Sequence, residues 1–132
     1  MKDAQPKAVR LSEYRPPNHV VTDTQLTFEL GDGTTQVTAS LTVVRNGDES
    51  NVQFDGQDLE LVSVAVDGRE LGSNEYRVDA DSLTVFDAPE RFDLRVVTRI
   101  HPEQNVALEG LYKSGGMFCT QCEAEGFRKI TY

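Results

Sequence analysis

Tryptophan is absent from the 132 residues, histidine and cysteine occur twice each, and no apolar run extends beyond a few residues. Each shortage excludes something. Nothing approaches the roughly 20 apolar residues of a bilayer-crossing helix, so no membrane span is expected. The opening Met1 to Pro17 is charged and has no apolar centre, so it does not read as a secretory leader. Two cysteines make no disulfide framework. Without a leader, the default expectation is a cytoplasmic chain with reduced thiols. The missing tryptophan, with no other aromatic platform, counts against sugar binding. Basic residues are scarce as well: 13 Lys and Arg stand against 22 Asp and Glu, a net charge of −9. Such a surface repels phosphate backbones and anionic bilayers, so neither nucleic acid nor membrane is an expected partner. A cationic group, such as a free amino terminus, suits it better, as does simple solvation.

Catalytic constellations are lacking too. There is no HExxH, no phosphate-binding glycine loop and no Ser-His-Asp set at a recognisable spacing. Gly31-Asp32-Gly33 is a turn rather than a nucleotide loop, because no helical pattern follows it.

What is present is strand sequence. An apolar fraction of 38% over 132 residues is enough for one core without staples. After an extended lead-in around Arg15-Pro16-Pro17-Asn18, residues 1–19 in all, the period becomes two. Leu26, Phe28 and Leu30 alternate with polar residues, the turn at Gly31 to Gly33 follows, and Val37, Ala39, Leu41 and Val43 alternate again. Val52 to Phe54 reads as a short strand. Leu59 to Val66 is nearly continuous apolar sequence, which predicts a strand buried on both faces. Asp67-Gly68 is a hairpin signal. Tyr76 to Val78 and Leu83 to Val85 flank another turn, and Phe92, Leu94, Val96, Thr98 and Ile100 alternate along a long strand. No segment sustains a helical period. The fold class expected is all-β, an antiparallel β-sandwich with little helix, occupying residues 20–132.

The last stretch departs from this pattern. Cys119-Thr120-Gln121-Cys122-Glu123-Ala124-Glu125-Gly126-Phe127-Arg128 packs both cysteines and several polar groups into a short run, read as a loop over 119–126. One CxxC supplies two of the four ligands that a structural zinc site needs, and neither His19 nor His101 is placed to complete it. Two reduced thiols, one buried and one packing the loop, are the simpler reading. Gln121, Glu123 and Glu125 form either a solvated acidic turn or a site for an ammonium group, which a carboxylate and an amide oxygen hold by charge-assisted hydrogen bonds. Glu125 and Arg128 are spaced to pair with each other.

Leu108-Glu109-Gly110-Leu111-Tyr112, the run from Cys119 to Arg128, and Ile130-Thr131-Tyr132 resemble the corresponding stretches of bacterial aminopeptidase N, a family of zinc exopeptidases also called alanyl aminopeptidases. Tyr14-Arg15-Pro16-Pro17, Leu26 to Leu30, Asp58 to Val64 and Pro89-Glu90-Arg91-Phe92 are similar to the same proteins, in the same order. The resemblance implies the N-terminal β domain of a zinc aminopeptidase, cut before its catalytic domain. The family's HExxH and GAMEN motifs do not occur in this chain. It implies peptide substrates held by their free amino termini. It also implies zinc in the full-length enzyme, bound by ligands outside this sequence, with a zinc-bound water attacking the peptide carbonyl and a glutamate as general base. For this chain it implies that Gln121 and Glu123 bind substrate, that no catalytic residue or metal ligand is present, and that the chain alone is inactive. Two other readings stand beside it: a free-standing acidic β-sandwich that binds a partner, and a small CxxC metal or redox protein.

Overall fold

The computed structural model describes residues 7–132, so the start of the lead-in expected over residues 1–19 lies outside the described ones. Ten strands follow one another: β1 His19–Leu30, β2 Thr35–Arg45, β3 Val52–Asp55, β4 Glu60–Val66, β5 Arg69–Glu70, β6 Tyr76–Asp79, β7 Ser82–Val85, β8 Arg91–Ile100, β9 Gly110–Ser114 and β10 Met117–Gln121. Helix is confined to short 3-10 turns at Leu11–Glu13, Pro102–Gln104 and Gly126–Lys129. Every strand pair is antiparallel.

The strands form a five-stranded sheet in the order β1-β2-β8-β4-β5, a three-stranded sheet β3-β7-β6, and the hairpin β10-β9. Alternation decides which faces meet. Val37, Ala39, Leu41 and Val43 of β2 pair with Thr98, Val96, Leu94 and Phe92 of β8, and all eight are buried. Their other faces carry Gln36, Thr38, Ser40 and Thr42 on β2 and Asp93, Arg95 and Arg99 on β8. The apolar face packs against Val52, Leu83 and Val85 of the smaller sheet to form the main core. Each large side chain removed from water there contributes about 1.5–3 kcal/mol. A second cluster continues the same face, where Val37 and Ile100 meet Leu111 of β9 and Ile130. The Thr98 hydroxyl donates to the Ile130 carbonyl at 3.3 Å, tying the chain's end to the central strand.

Three expectations are corrected. Leu59 to Val66 is not buried on both faces. A register shift between Leu61 and Ser63 makes Val62 the extra residue, and it is 40% exposed. The shift lets both Leu61 and Val64 face the core although they are three positions apart, which is why the apolar run looks continuous. Second, Cys119, Thr120 and Gln121 belong to β10 rather than to a loop; the loop proper spans 122–125. Third, neither cysteine is fully buried.

The Asp67-Gly68 hairpin forms as expected, with both residues at positive φ, 51° and 82°. That is the backbone a two-residue turn of this twist demands.

The edge strand β1 is left partly bare. Leu26, Phe28 and Leu30 lie opposite Ala39, Val37 and Thr35, hence on the core-facing side, yet Phe28 and Leu30 are 38% and 53% exposed. No β1 residue belongs to either buried cluster.

Candidate functional site

The β9–β10 hairpin carries the polar stretch to the surface. Gln121, the last residue of β10, pairs with Gly110, the first of β9. The chain then turns back: the Gly126 N–H donates to the Cys122 carbonyl at 3.0 Å, and the 3-10 turn Gly126–Lys129 runs down to buried Ile130 and Thr131. The Glu123–Ala124 peptide bond is cis. Within this return, the Glu123 N–H donates to Gln121 Oε1 at 3.2 Å. The two residues singled out in the sequence are therefore brought together, with the amide of one bracing the backbone of the other.

Glu123 lines a cleft of about 460 Å³ together with Gln57, Glu109, Glu125, Arg128 and Lys129. The charges in it are unequally engaged. Arg128 reaches Glu125 and Asp55, each at 3.5 Å. Lys129 reaches Asp58 at 3.3 Å and Glu109 at 3.8 Å. The Arg128 carbonyl also accepts the Gln57 N–H at 2.6 Å, so the turn after β3 is stapled beneath the loop. Among the described residues no hydrogen bond or ion pair engages the Glu123 carboxylate, which is exposed at the mouth of the cleft. Exposed ion pairs contribute at most about 1 kcal/mol each, so their part here is to set geometry and to occupy the two cations. What remains is one free carboxylate in an acidic setting, a group suited to an incoming ammonium.

The Glu125–Arg128 pairing anticipated from their spacing is present. Sequence reasoning missed Asp55 and Asp58. Asp58 lies 71 residues upstream of Lys129 and belongs to a turn with no local chemical signature.

The cysteines are free. Cys119 pairs across the hairpin with Tyr112, and its thiol points to the Met117 carbonyl at 3.8 Å. Cys122 packs against the second apolar cluster. The histidines are occupied elsewhere: His101 Nδ1 lies 3.0 Å from the Gly33 carbonyl, and His19 Nδ1 lies 3.0 Å from Asn18 Nδ2. Burial, then the nearby Arg45, lowers the His19 pKa. Among the described residues no three His, Cys, Asp or Glu side chains are grouped to hold a metal ion.

Two features flank the site. Glu103 Oε1 accepts the Gly33 N–H and Lys113 Nζ, each at 3.1 Å, linking the β1–β2 turn to β9. These two contacts, the backbone one first, hold its carboxyl below the usual range. An apolar groove of about 380 Å³ opens between β1 and the chain's end, where Leu26 faces Phe127 and Tyr132. The Thr131 hydroxyl is buried beside it without a hydrogen-bond partner among the described residues. Burial raises the pKa of Tyr132.

No family model matches the chain. Aminopeptidase N of Caulobacter vibrioides is 49% identical over 133 residues, covering 100% of this chain and 15% of that protein. Aminopeptidase N of Escherichia coli is 43% identical over 129 residues, covering 97% of this chain and again 15% of the relative. The chain thus spans about 15% of the length of the curated relatives it matches. Among solved structures, an aminopeptidase A of Legionella pneumophila in complex with aspartic acid matches with a TM-score of 0.84 at 28% identity, over 92% of this chain and 15% of that one. An M1 zinc metallopeptidase from Deinococcus radiodurans shares the fold, with a TM-score of 0.67 at 18% identity over 84% of this chain and 28% of its own. Along its whole length the chain is therefore similar, in both sequence and fold, to the N-terminal β domain of aminopeptidase N.

Proposed function

We propose that this chain is the part of a zinc-dependent aminopeptidase that helps to hold the free amino terminus of a peptide substrate, with Glu123 as the ionic anchor and Gln121 beside it. The observation that carries the reading is the inequality within the cleft: the cations are paired, Glu125 and Glu109 have partners, and the Glu123 carboxylate is left open while its backbone is braced on Gln121. An exopeptidase must prefer a terminal ammonium to an internal amide. A carboxylate achieves this because the ammonium compensates for the water it loses, whereas a neutral amide leaves the charge unpaired. A charged hydrogen bond of this kind contributes about 1.5–3 kcal/mol, or roughly ten- to a hundredfold in binding.

Zinc finds no ligand set among the described residues of this chain. Its ligands, and hydrolysis itself, belong in this reading to the remainder of a longer, cytoplasmic enzyme. Leu26, Phe28 and Leu30 on bare β1, and the adjoining groove with its unpartnered Thr131 hydroxyl, are the surface on which that remainder packs.

The test uses the full-length enzyme. Glu123→Ala, Gln121→Ala and Glu125→Ala are compared on a free-amine substrate, and inhibition by an amino acid amide is compared with that by its N-acetyl derivative. The expected result is a ten- to hundredfold loss at Glu123, a smaller one at Gln121, little at Glu125, and weaker discrimination between the two inhibitors. Wild-type kinetics for a folded Glu123→Ala enzyme would reduce the loop to a solvated turn.

A further inference from the structure

Gly126 is buried where no side chain fits. A Cβ built on it runs into the carbonyl oxygen of Gln121 and lies 3.1 Å from that carbonyl's carbon and 3.2 Å from the nitrogen of Gly110. Gly110 closes the same slot from the other side: its own Cβ would stand 3.2 Å from the Gly126 carbonyl oxygen and 3.0 Å from Lys129 Cβ. Gly110 is also at positive φ, 77°, whereas Gly126 is not. The demand for glycine at 126 is therefore one of space alone, and alanine can adopt its backbone angles without strain.

The atom in the way belongs to the backbone, so it cannot swing aside as a side-chain tip does. Gln121 is both the last residue of β10 and the brace of Glu123, through Oε1 and the Glu123 N–H at 3.2 Å. Gly126 also donates its N–H to Cys122 at 3.0 Å, closing the loop on itself. One residue thus sets both ends of the loop that carries Glu123.

We propose that Gly126 is a positioning residue for amine recognition: the lack of a side chain there lets the 3-10 turn close on the Gln121 carbonyl, and this closure places the Gln121–Glu123 pair. The proposal rests on the anchoring role given to Glu123 above. It adds that selectivity for a free amine is lost when a single methyl group is placed more than one residue away from either anchor. Displacements of about 1 Å in positioning groups cost up to about a hundredfold in enzyme function.

The experiment compares Gly126→Ala, Glu123→Ala and the core variant Val43→Ala in the full-length enzyme. For each, zinc content, melting temperature, kcat and KM are measured, along with the ratio of inhibition constants for an amino acid amide and its N-acetyl form. For Gly126→Ala that ratio is expected to collapse about tenfold toward unity, with the acetylated compound's binding little changed. Val43→Ala is expected to lower the melting temperature and leave the ratio alone. A wild-type ratio in Gly126→Ala overturns the proposal, as does an equal collapse in Val43→Ala, which would make the effect one of general instability. If Gly126→Ala does not fold, a glycine inserted between Ala124 and Glu125 loosens the closure without a clash, and an unchanged ratio there overturns the proposal as well. Should Glu123→Ala itself keep the wild-type ratio, the anchoring role fails. If Glu123→Ala loses the ratio and Gly126→Ala keeps it, only the positioning role falls.

Discussion

Gln121 holds Glu123 by the latter's own backbone: Oε1 of the first accepts the N–H of the second at 3.2 Å. A carboxylate that makes no hydrogen bond or ion pair among the described residues thus has its main chain pinned by the amide of Gln121.

The two residues should consequently be coupled. In the full-length enzyme, Gln121→Ala combined with Glu123→Ala is expected to lose less than the sum of the single losses, because an unbraced loop matters little once the carboxylate is gone. Contacting pairs of this kind couple by about 0.5–3 kcal/mol. A double-mutant cycle on kcat/KM for a free-amine substrate checks it, and strict additivity would separate the two roles.

Acid should act on Glu103. Its folded carboxyl is held below the ordinary glutamate value of 4.5 by the Gly33 N–H and by Lys113. The folded state therefore binds fewer protons than the unfolded one over that interval. The stabilisation is complete above pH 4.5 and is lost as pH falls through the lower, folded value. Glu103→Gln is expected to melt earlier than wild type near neutral pH, with the gap closing in stronger acid. His19, held below the ordinary histidine value of 6.5, adds its own loss of stability on acidification, and this is common to both proteins. A gap that is constant with pH would show that the contacts act through something other than charge.

Core and edge should respond differently to truncation. Phe92 is 2% exposed between the sheets, and Phe92→Ala is expected to cost about 3–5 kcal/mol in urea unfolding. Phe28, 38% exposed on bare β1, should cost distinctly less in the 132-residue chain. In the full-length enzyme Phe28→Ala is expected to cost more, since the proposed packing of the remainder covers it. Equal costs for Phe28→Ala in the two settings would leave that face without its partner.

The all-β class, the hairpins at Gly31 to Gly33 and Asp67-Gly68, and the face on which Val37, Leu41, Phe92 and Leu94 lie were legible in the residues alone. Period-two alternation and turn chemistry are local, and a strand's two faces follow from every second residue. Gln121 and Glu123 were nominated by resemblance, and their adjacency along the chain made contact between them short-range. Tertiary structure decided the rest. The apolar run through β4 gave no sign of the bulge at Val62, because a bulge is defined only against a partner strand, here β8. Asp55 and Asp58 reach Arg128 and Lys129 only once the turn after β3 is folded beneath the C-terminal 3-10 turn. That pairing, by occupying the cations, is what leaves the Glu123 carboxylate open. Gly126 is an unremarkable letter in the sequence; only when β9, β10 and the 3-10 turn converge does it appear that a methyl group there has nowhere to go, because closeness between backbones is a property of the packed chain and not of any segment of it.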